Sequence, residues 1–336
     1  MFSAAPQLSV VVPLHNEVEN VAPLCQAIRS ALDPLDRPYE ILLVNDGSTD
    51  GTDVRLDALA EADPHVRPVH LAANFGQAEA LSAGFEAARA PFIMTLDGDL
   101  QNDPAELPRL LAALEQGGYR VVSGWRRERA ERSAARVLPS RLANWLIARI
   151  TGLPTRDNGC SLKVYRGEVV KGTYLPHGMH RFIPAVYGVR PHEFTELPVS
   201  HHSRQSGKSH YGLSRLFVVI RDLLAIQYLQ RDPDAALGQI RAIRLFGTAL
   251  LLLGLYLLGS RAFSGHSLAL AWPLGVLLTG ALLEGYAEMV RTNLQRWLRA
   301  QQERPYRLRE AARTSEQVAG EAHSEAVVQP AMRVRN

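Results

Sequence analysis

The chain has 336 residues, of which 46% are hydrophobic and 21% are charged, with a formal net charge of +3. This length allows two or three domains, and the apolar fraction excludes a wholly disordered or fibrous protein. The small net charge gives no support to nucleic-acid binding, which needs a concentrated basic surface. Two cysteines, Cys25 and Cys160, exclude a disulfide-based scaffold and favour a reducing compartment.

The N-terminal part of the chain alternates between strand and helix patterns. Short apolar runs predict strands over 8–12, 39–44, 66–71, 92–96 and 119–123. Helical spacing predicts helices over 18–28, 50–61 and 76–88, and a fourth that begins at Asp103-Pro104. This alternation predicts an α/β fold, a Rossmann-like and mostly parallel sheet with helices on both faces. Ligands bind such sheets at the carboxyl ends of the strands.

Acidic and amide residues follow three of these strands where each strand ends. They occupy 13–17, 45–50 and 97–99. Each segment alone is typical of a turn, but together they predict a binding site at one edge of the sheet. Asp97 and Asp99 are two residues apart, so one bend can aim both at a cation such as Mg²⁺ or Mn²⁺. Asp46 or Glu17 would accept hydrogen bonds from a nucleotide base or ribose.

The C-terminal part contains two adjacent apolar runs, 245–260 and 262–283, that hold no Asp, Glu, Lys or Arg. A membrane-spanning helix needs about 20 apolar residues, so we predict two transmembrane helices with their flanks over 241–300. A buried helical hairpin in a soluble domain is the alternative.

Arginines suggest the orientation of this hairpin. Only Arg261 lies between the runs, whereas five arginines flank them: Arg241, Arg244, Arg291, Arg296 and Arg299. The positive-inside rule therefore predicts that both ends are cytoplasmic. The N-terminus lacks the pattern of a signal peptide, which favours a cytoplasmic catalytic domain in a multi-pass protein of the inner membrane.

The remaining segments complete the predicted organisation. Residues 1–210 form the catalytic domain, and 211–240 an amphipathic interfacial helix with a linker. A second amphipathic stretch, 138–150, fits either core packing or the membrane interface. Residues 301–336 are predicted to be a polar tail, disordered beyond roughly Glu310.

Several motifs resemble the family 2 glycosyltransferases of GT-A fold. These motifs are Pro13 with Asn16-Glu17, and the segments 44–50, 74–77 and 96–104. The segments 123–127, 156–166 and 201–212 are similar to those of polyprenyl-phosphate glycosyltransferases, a group that includes dolichyl-phosphate mannose synthases and bacterial undecaprenyl-phosphate sugar transferases. The paired C-terminal helices, with 284–286 and 304–306, resemble the bacterial two-helix branch. The resemblance covers roughly residues 8–310, and it is the combination of motifs that is specific.

The resemblance implies an inverting glycosyltransferase that moves a sugar from a UDP- or GDP-sugar to undecaprenyl or dolichyl phosphate at the cytoplasmic membrane face. It implies a metal site for Mg²⁺ or Mn²⁺ at Asp97, Asp99 and Gln101. The implied donor-site residues are Pro13, Asn16, Glu17 and Asp46, and the implied phosphate-binding residues are Arg127, Arg204 and Lys208. The residues implied near the reacting groups are Asp97, Asp99, Asp157 and Arg204. Three positions depart from the family pattern: His15, Asn158 and His210.

This chemistry explains the residue types. The reaction passes through an oxocarbenium-like transition state while negative charge builds on the leaving nucleoside diphosphate, and a divalent cation with arginines stabilises that charge. A lipid phosphate is already largely anionic at neutral pH, so the acceptor has little need of a general base. A single displacement inverts the anomeric centre.

Other functions are less consistent with the sequence. A polysaccharide synthase acting on another acceptor should carry a Gln-x-x-Arg-Trp motif before the hairpin, and Gln295-Arg296-Trp297 has neither that spacing nor that place. A nucleotidyltransferase needs a Gly-rich loop near the N-terminus, which 10–20 lacks. A non-catalytic, membrane-tethered nucleotide-sugar-binding protein would be expected to lose part of the acidic set. Self-association into a homo-oligomer is left open.

Overall fold

The computed structural model of the protein describes residues 5–126, 147–200, 226, 228, 232–264 and 271–309. Three of the predicted phosphate-binding or catalytic residues, Arg127, Arg204 and Lys208, lie outside these ranges, as does His210. Most of the two predicted amphipathic stretches also lies outside them.

A seven-stranded sheet forms the centre of the N-terminal α/β domain. Its strands are β1 (Leu8–Leu14), β2 (Tyr39–Asn45), β3 (Val66–His70), β4 (Phe92–Thr95), β5 (Val121–Arg126), β6 (Lys163–Arg166) and β7 (Phe194–Val199). The spatial order is β3-β2-β1-β4-β6-β5-β7, and β6 runs antiparallel to β4 and β5 while the other pairs are parallel. The predicted α/β class with a mostly parallel sheet is confirmed.

The sequence patterns did not reveal β6 and β7. β6 has only four residues and begins with a lysine, and β7 carries Thr195 and Glu196 within it, so neither forms a clear apolar run. β5 continues to Arg126, three residues beyond its predicted end. This extension carries part of the 123–127 motif on a strand.

Four helices cover the sheet: α1 (Val21–Leu32), α2 (Thr52–Ala62), α3 (Gln77–Ala87) and α4 (Leu107–Gln116). The predicted start at Asp103 is confirmed, because its Oδ1 accepts a hydrogen bond from Ala105 N at 2.9 Å. A 3₁₀ turn, Pro104–Glu106, precedes α4. Single helical turns follow at Gly167–Val170 and Ile183–Val186.

The two faces of the sheet bury separate hydrophobic layers. Val10 and Val12 of β1 face the layer that contains α1, α2 and α4, whereas Val11 faces α3. Side chains that alternate in this way are expected of a strand buried on both faces. The sheet is thereby a rigid base from which the loops at its carboxyl edge project.

Two long antiparallel helices follow the catalytic domain: α5 (Pro233–Ser264) and α6 (Ala271–Gln302). They approach closely at glycines, since a Cβ on Gly280 would lie 2.9 Å from Gly247 O. The N-terminal end of α5 and the C-terminal half of α6 pack on the α3 layer of the core, where Ile240, Val290 and Leu294 are buried. Among the described residues one helix, Asp234–Ser260, has the length and apolar composition of a membrane span, with a mean hydropathy of 1.9 over its most apolar 18 residues.

The chain returns to the sheet after α6. Ala72 N donates a hydrogen bond to Arg307 O, and Arg309 N donates one to His70 O, both at 2.8 Å. Tyr306 is buried, and its hydroxyl donates to Glu86 of α3. We call residues 303–309 the return segment. The return segment therefore packs against the sheet, because the free edge of β3 offers backbone groups for pairing and Tyr306 has a place in the core.

Candidate active site

The ends of β1 and β2 are tied to the loop that precedes α3. The buried Asp46 carboxylate accepts hydrogen bonds from Phe75 N at 2.7 Å and Gly76 N at 2.9 Å. His15 Nδ1 donates to Asp46 O at 2.8 Å, which leaves its Nε2 to accept from Asn74 Nδ2 at 3.0 Å. Asp46 thus lies at the carboxyl edge of the sheet, as predicted, and also fixes the shape of the loop that precedes α3.

The neighbouring predicted donor-site residues are held by hydrogen bonds within the loops that follow β1 and β2. Asn16 adopts a positive φ of 57°, and its Oδ1 accepts a hydrogen bond from Thr49 N at 2.9 Å. Glu17 Oε2 accepts one from Asn20 Nδ2 at 2.5 Å. Pro13 is half-buried on β1, where it pairs with Val44. The structure therefore brings Pro13, Asn16, Glu17 and Asp46 to one edge of the sheet.

Asp97 and Asp99 lie just beyond the end of β4. Asp97 Oδ1 accepts a hydrogen bond from Gln77 Nε2 at 2.9 Å, and Asp99 Oδ1 accepts one from Gln101 N at 3.2 Å. Burial raises the pKa of the Asp97 carboxyl above its ordinary value, and the charge of Asp99 adds to the rise despite an opposing hydrogen bond with Ser161. The glycine between the two aspartates is required, because a Cβ on Gly98 would lie 2.3 Å from Leu14 Cδ2.

These two carboxylates fit a divalent cation. A buried carboxylate beside a second one is electrostatically unfavourable, and a cation between them relieves the repulsion. Their hard oxygen atoms suit Mg²⁺ or Mn²⁺. Within the described ranges no group of three or more His, Cys, Asp or Glu residues is arranged for a metal. The contact of Gln101 given above uses its backbone nitrogen rather than its side chain.

An ion pair closes the other side of this region. Arg126, the last residue of β5, grips Asp157 with Nε–Oδ2 at 2.6 Å and Nη2–Oδ1 at 2.9 Å. The side chains of Arg126 and Asp157 are only 9% and 8% exposed. Although burial lowers the pKa of Arg126, the hydrogen bonds and charge of Asp157 raise it overall, so the guanidinium stays charged. Asp157 thereby orients an arginine whose charge acts on Asp97.

A buried lysine completes the charged group. Lys163 begins β6 and pairs with Thr95, two residues before Asp97. Its Nζ donates a hydrogen bond to Cys160 O. Burial lowers the pKa of Lys163, while the charges of Asp157 and Asp97 oppose that effect. The Lys163 side chain is thus buried near the acids that the motifs identified, close enough for their charges to act on its pKa.

Sequence reasoning assigned no role to Arg126, Lys163 or Gln77, although all three lie inside motifs that it singled out. A signal existed for Lys163, which is a charged residue within the apolar run 160–165. Strand β6 was not predicted, and the side chains near Lys163 depend on which strands pair with β6. The role of Lys163 could therefore not be inferred from the sequence.

A second buried acid lies behind the loop that Asp46 holds. Glu79 of α3 is 5% exposed, and its Oε1 lies 2.8 Å from Nδ1 of His177, whose side chain is mostly exposed. A Cβ on Gly76 would lie 2.9 Å from Glu79 Oε2 and 3.3 Å from the His177 ring. The close fit of Gly76 against this pair helps to keep Gln77 beside Asp97.

Comparison of sequences gives consistent matches. The profile described as "Glycosyl transferase family 2" matches residues 9–172. The chain is 44% identical over 228 residues to the dodecaprenyl-phosphate galacturonate synthase of Rhizobium johnstonii, covering 67% of this chain and 68% of that protein. It is 37% identical over 254 residues to the undecaprenyl-phosphate 4-deoxy-4-formamido-L-arabinose transferase of Edwardsiella ictaluri, covering 75% of each.

Comparison of structures supports the fold. The crystal structure of mannosyl-3-phosphoglycerate synthase from Rubrobacter xylanophilus aligns with a TM-score of 0.54 at 18% identity, covering 68% of this chain and 78% of that one. At this level of identity the likeness concerns the fold alone. It agrees with the GT-A-like α/β architecture that the sequence predicted.

Proposed function

The chain belongs to the polyprenyl-phosphate glycosyltransferases of family 2, and on that premise we propose that it transfers a sugar from a nucleotide-sugar donor to a polyprenyl phosphate at the membrane surface. The observation that carries this proposal is the position of Asp97 and Asp99 just beyond β4, where burial and the charge of Asp99 raise the pKa of Asp97 and the charges of Lys163 and Arg126 lower it. Acids that can hold a cation, next to fixed positive charges, suit a reaction in which a diphosphate departs.

In the proposed reaction, an oxygen of the lipid phosphate attacks the anomeric carbon of the donor. The bond from that carbon to the diphosphate breaks with its electron pair on the diphosphate, and the configuration inverts. Mg²⁺ or Mn²⁺, when bound at Asp97 and Asp99, supplies neutralisation of the leaving group. The lipid phosphate is already largely anionic, so the step needs no group to remove its proton.

We assign the remaining roles as follows. Arg126, oriented by Asp157, adds positive charge near the leaving group, and Asp157 is a positioning residue rather than a base. Pro13, Asn16, Glu17 and Asp46 bind the donor's nucleobase and ribose. Arg127, Arg204 and Lys208 bind phosphates, a role that rests on the motif resemblance. Gln101 is a further candidate metal ligand.

The membrane part of the proposal places the catalytic domain at the cytoplasmic face of the inner membrane, with α5 and α6 both spanning the bilayer. Support comes from the apolar helix Asp234–Ser260 and from the arginines that flank the hairpin. The exposed leucines along both helices are a further reason to expect lipid around them.

A product assay tests the function. The purified full-length protein is incubated with undecaprenyl phosphate, Mn²⁺ and a panel of UDP- and GDP-linked sugars that includes galacturonate and 4-deoxy-4-formamido-L-arabinose. Mass spectrometry of the lipid should detect one added sugar with a single preferred donor. Repeated addition would favour the polysaccharide-synthase alternative, and donor binding without product would favour the binding-protein alternative.

Substitution of Asp99 tests the site within the same assay. Asp99→Asn should abolish transfer while the protein stays folded, because the amide loses the charge that a divalent cation requires. EDTA should have the same effect. Asp36→Asn is the matched control, since Asp36 is exposed, precedes β2 at the opposite edge of the sheet and has a left-handed φ of 49° that asparagine tolerates. Full activity in EDTA with metal-free protein would refute the metal assignment.

A further inference from the structure

A cavity of about 190 Å³ lies between α5 and α6, near the end that joins the catalytic domain. Side chains from both helices line it: Leu237, Ile240, Arg241, Arg244, Arg291 and Gln295. The lining contains three guanidinium groups and no carboxylate. This volume is large enough for several water molecules or one small anionic group, and it is smaller than pockets that enclose a whole drug-sized ligand.

The charge around the cavity is unbalanced. Arg244 lies 3.3 Å from Glu284 and 3.6 Å from Glu288, and Arg291 lies 2.6 Å from Glu288. Arg241 is exposed and has no ion-pair partner in the part of the chain that the structure describes. Three arginines and two glutamates leave one positive charge in excess, so the cavity favours an anion.

The cavity lies where the apolar surface of the hairpin ends. Leu245 and Phe246, one turn beyond Arg241, are 72% and 61% exposed. In the other direction Ile240, Val290 and Leu294 are buried against the catalytic domain. Exposed leucines are expected where lipid tails surround a helix, so the arginines between these two regions lie at the depth of lipid headgroups.

We propose that this cavity binds the phosphate headgroup of a membrane lipid, with its hydrocarbon tail lying along the exposed apolar face of α5 and α6. Guanidinium groups bind phosphate oxygens in pairs, and basic pockets between membrane helices bind anionic headgroups. The site uses none of the residues assigned to the donor or the metal. The inference rests on the membrane insertion proposed above and not on the transfer of sugar.

Lipid retention by the full-length protein tests the proposal. The delipidated protein in detergent is offered phosphatidylglycerol, phosphatidylcholine or undecaprenyl phosphate, and native mass spectrometry counts the bound copies. We expect at least one of the two net-anionic lipids to be retained tenfold or more above phosphatidylcholine, whose phosphate is balanced by the choline cation. Arg241→Ala should weaken retention of that copy about fivefold, and Arg241→Ala/Arg291→Ala more than tenfold. Arg299→Ala, exposed on α6 outside the cavity, is the charge-matched control and should retain the wild-type amount.

The outcomes separate the sources of the phosphate. Retention of phosphatidylglycerol alone assigns the cavity to bilayer lipid, retention of undecaprenyl phosphate alone assigns it to the acceptor, and retention of both indicates selection of phosphate itself. Equal retention of phosphatidylcholine, or an equal loss in Arg299→Ala, overturns the proposal. Arg241→Ala keeps the Arg291–Glu288 pair, so it decides the test if the double variant fails to fold. A protein that retains lipid but transfers no sugar would contradict the proposed function and support this inference.

Discussion

At the scale of single residues, the role of Asp157 changes most when the tertiary contacts are known. Its motif suggested a place near the reacting groups, whereas both of its carboxylate oxygens are engaged by Arg126. A carboxylate held in this way is poorly suited to act as a base but well suited to fix the direction of a guanidinium group. In the proposed reaction, the charge that acts on the leaving group is therefore that of Arg126.

We expect Asp157→Asn and Arg126→Gln each to lower turnover about 100-fold, because both remove the same oriented positive charge near the leaving group. The double variant should be no slower than the slower single variant, since residues that act as a unit are not additive. Initial rates at saturating donor, with unfolding midpoints to confirm the fold, measure this coupling. Multiplicative losses would instead indicate an independent role for Asp157.

Glu40 is a buried acid outside the candidate site. It is 2% exposed near the start of β2, away from the candidate site, and accepts hydrogen bonds from Ser9 Oγ and Arg89 N, each at 2.7 Å, and from Arg67. Burial alone would raise the pKa of Glu40, but these hydrogen bonds and the charge of Arg67 lower it below 4.5 overall. The ionised form is therefore the one that the fold stabilises.

A carboxyl whose pKa is depressed by folding contributes stability above its unfolded pKa and loses that contribution as the pH falls through its folded pKa. We predict that Glu40→Gln lowers the stability at pH 7 by about 2 kcal/mol, a loss discounted for the exposure of the two arginines. The gap between wild type and variant should close below about pH 4.5. Thermal unfolding in detergent across pH 3 to 7 checks this, and a gap that widens on acidification would contradict it.

At the scale of elements, the packing of α5 against α6 depends on small residues. A Cβ on Gly280 would lie 2.9 Å from both Gly247 O and Leu251 N, so the helices touch backbone to backbone there. On the same helix, a Cβ on Gly275 would meet nothing within 4 Å. Close approach of helices at glycine is a common device in membranes, where the apolar surroundings provide little drive for association.

These two glycines give a matched pair of substitutions. Gly280→Leu should destabilise the hairpin by about 1–3 kcal/mol through overpacking against backbone that cannot move aside. Gly275→Leu should be neutral or stabilise α6 by up to about 1 kcal/mol, because leucine favours the helix over glycine. The unfolding midpoints of both variants in detergent test the prediction. Equal loss in the two variants would indicate that the helices do not approach at Gly280.

At the scale of the whole molecule, the hairpin and the catalytic domain are joined twice. The N-terminal end of α5 and the C-terminal half of α6 share the core layer with α3, and the return segment pairs with the edge of β3. Glu86 of α3 reinforces this second junction by accepting hydrogen bonds from Tyr174, Arg304 and Tyr306. The proposed membrane anchor is thereby held at a fixed place relative to the sheet.

The orientation of the anchor can be measured with introduced cysteines. Burial and the charge of Asp63 raise the pKa of the Cys25 thiol to about 11, and burial raises the pKa of Cys160, so the native cysteines should react little. A membrane-impermeant maleimide should label Ser264→Cys in intact spheroplasts and Glu303→Cys only after lysis. The reverse pattern would refute the orientation, and extraction by alkaline carbonate would refute the spans.

How much of this protein follows from sequence can be judged element by element. The α/β class, five of the seven strands and the Asp97–Asp99 edge follow from local signals: apolar runs, helical spacing, an N-cap, and acids placed just after strands. Each of these signals involves only residues that are close in the sequence, so it can be interpreted without knowing the tertiary contacts. The motifs supplied the family for the same reason, because they are short and contiguous.

The tertiary structure alone decided which distant residues meet. Lys163 faces Asp97 because β6 inserts antiparallel between β4 and β5, and Asp157 meets Arg126 across 31 positions of sequence. The return segment is ordered because a strand edge far earlier in the chain provides backbone partners. Arg309 N donates a hydrogen bond to His70 O, 239 positions away, and Leu308 forms an antiparallel bridge with Leu71. The sequence determined the local elements and the edge at which chemistry occurs. The pairing of strands and side chains that are distant in sequence decided where the charged groups at that edge lie, and no local pattern encodes such pairing.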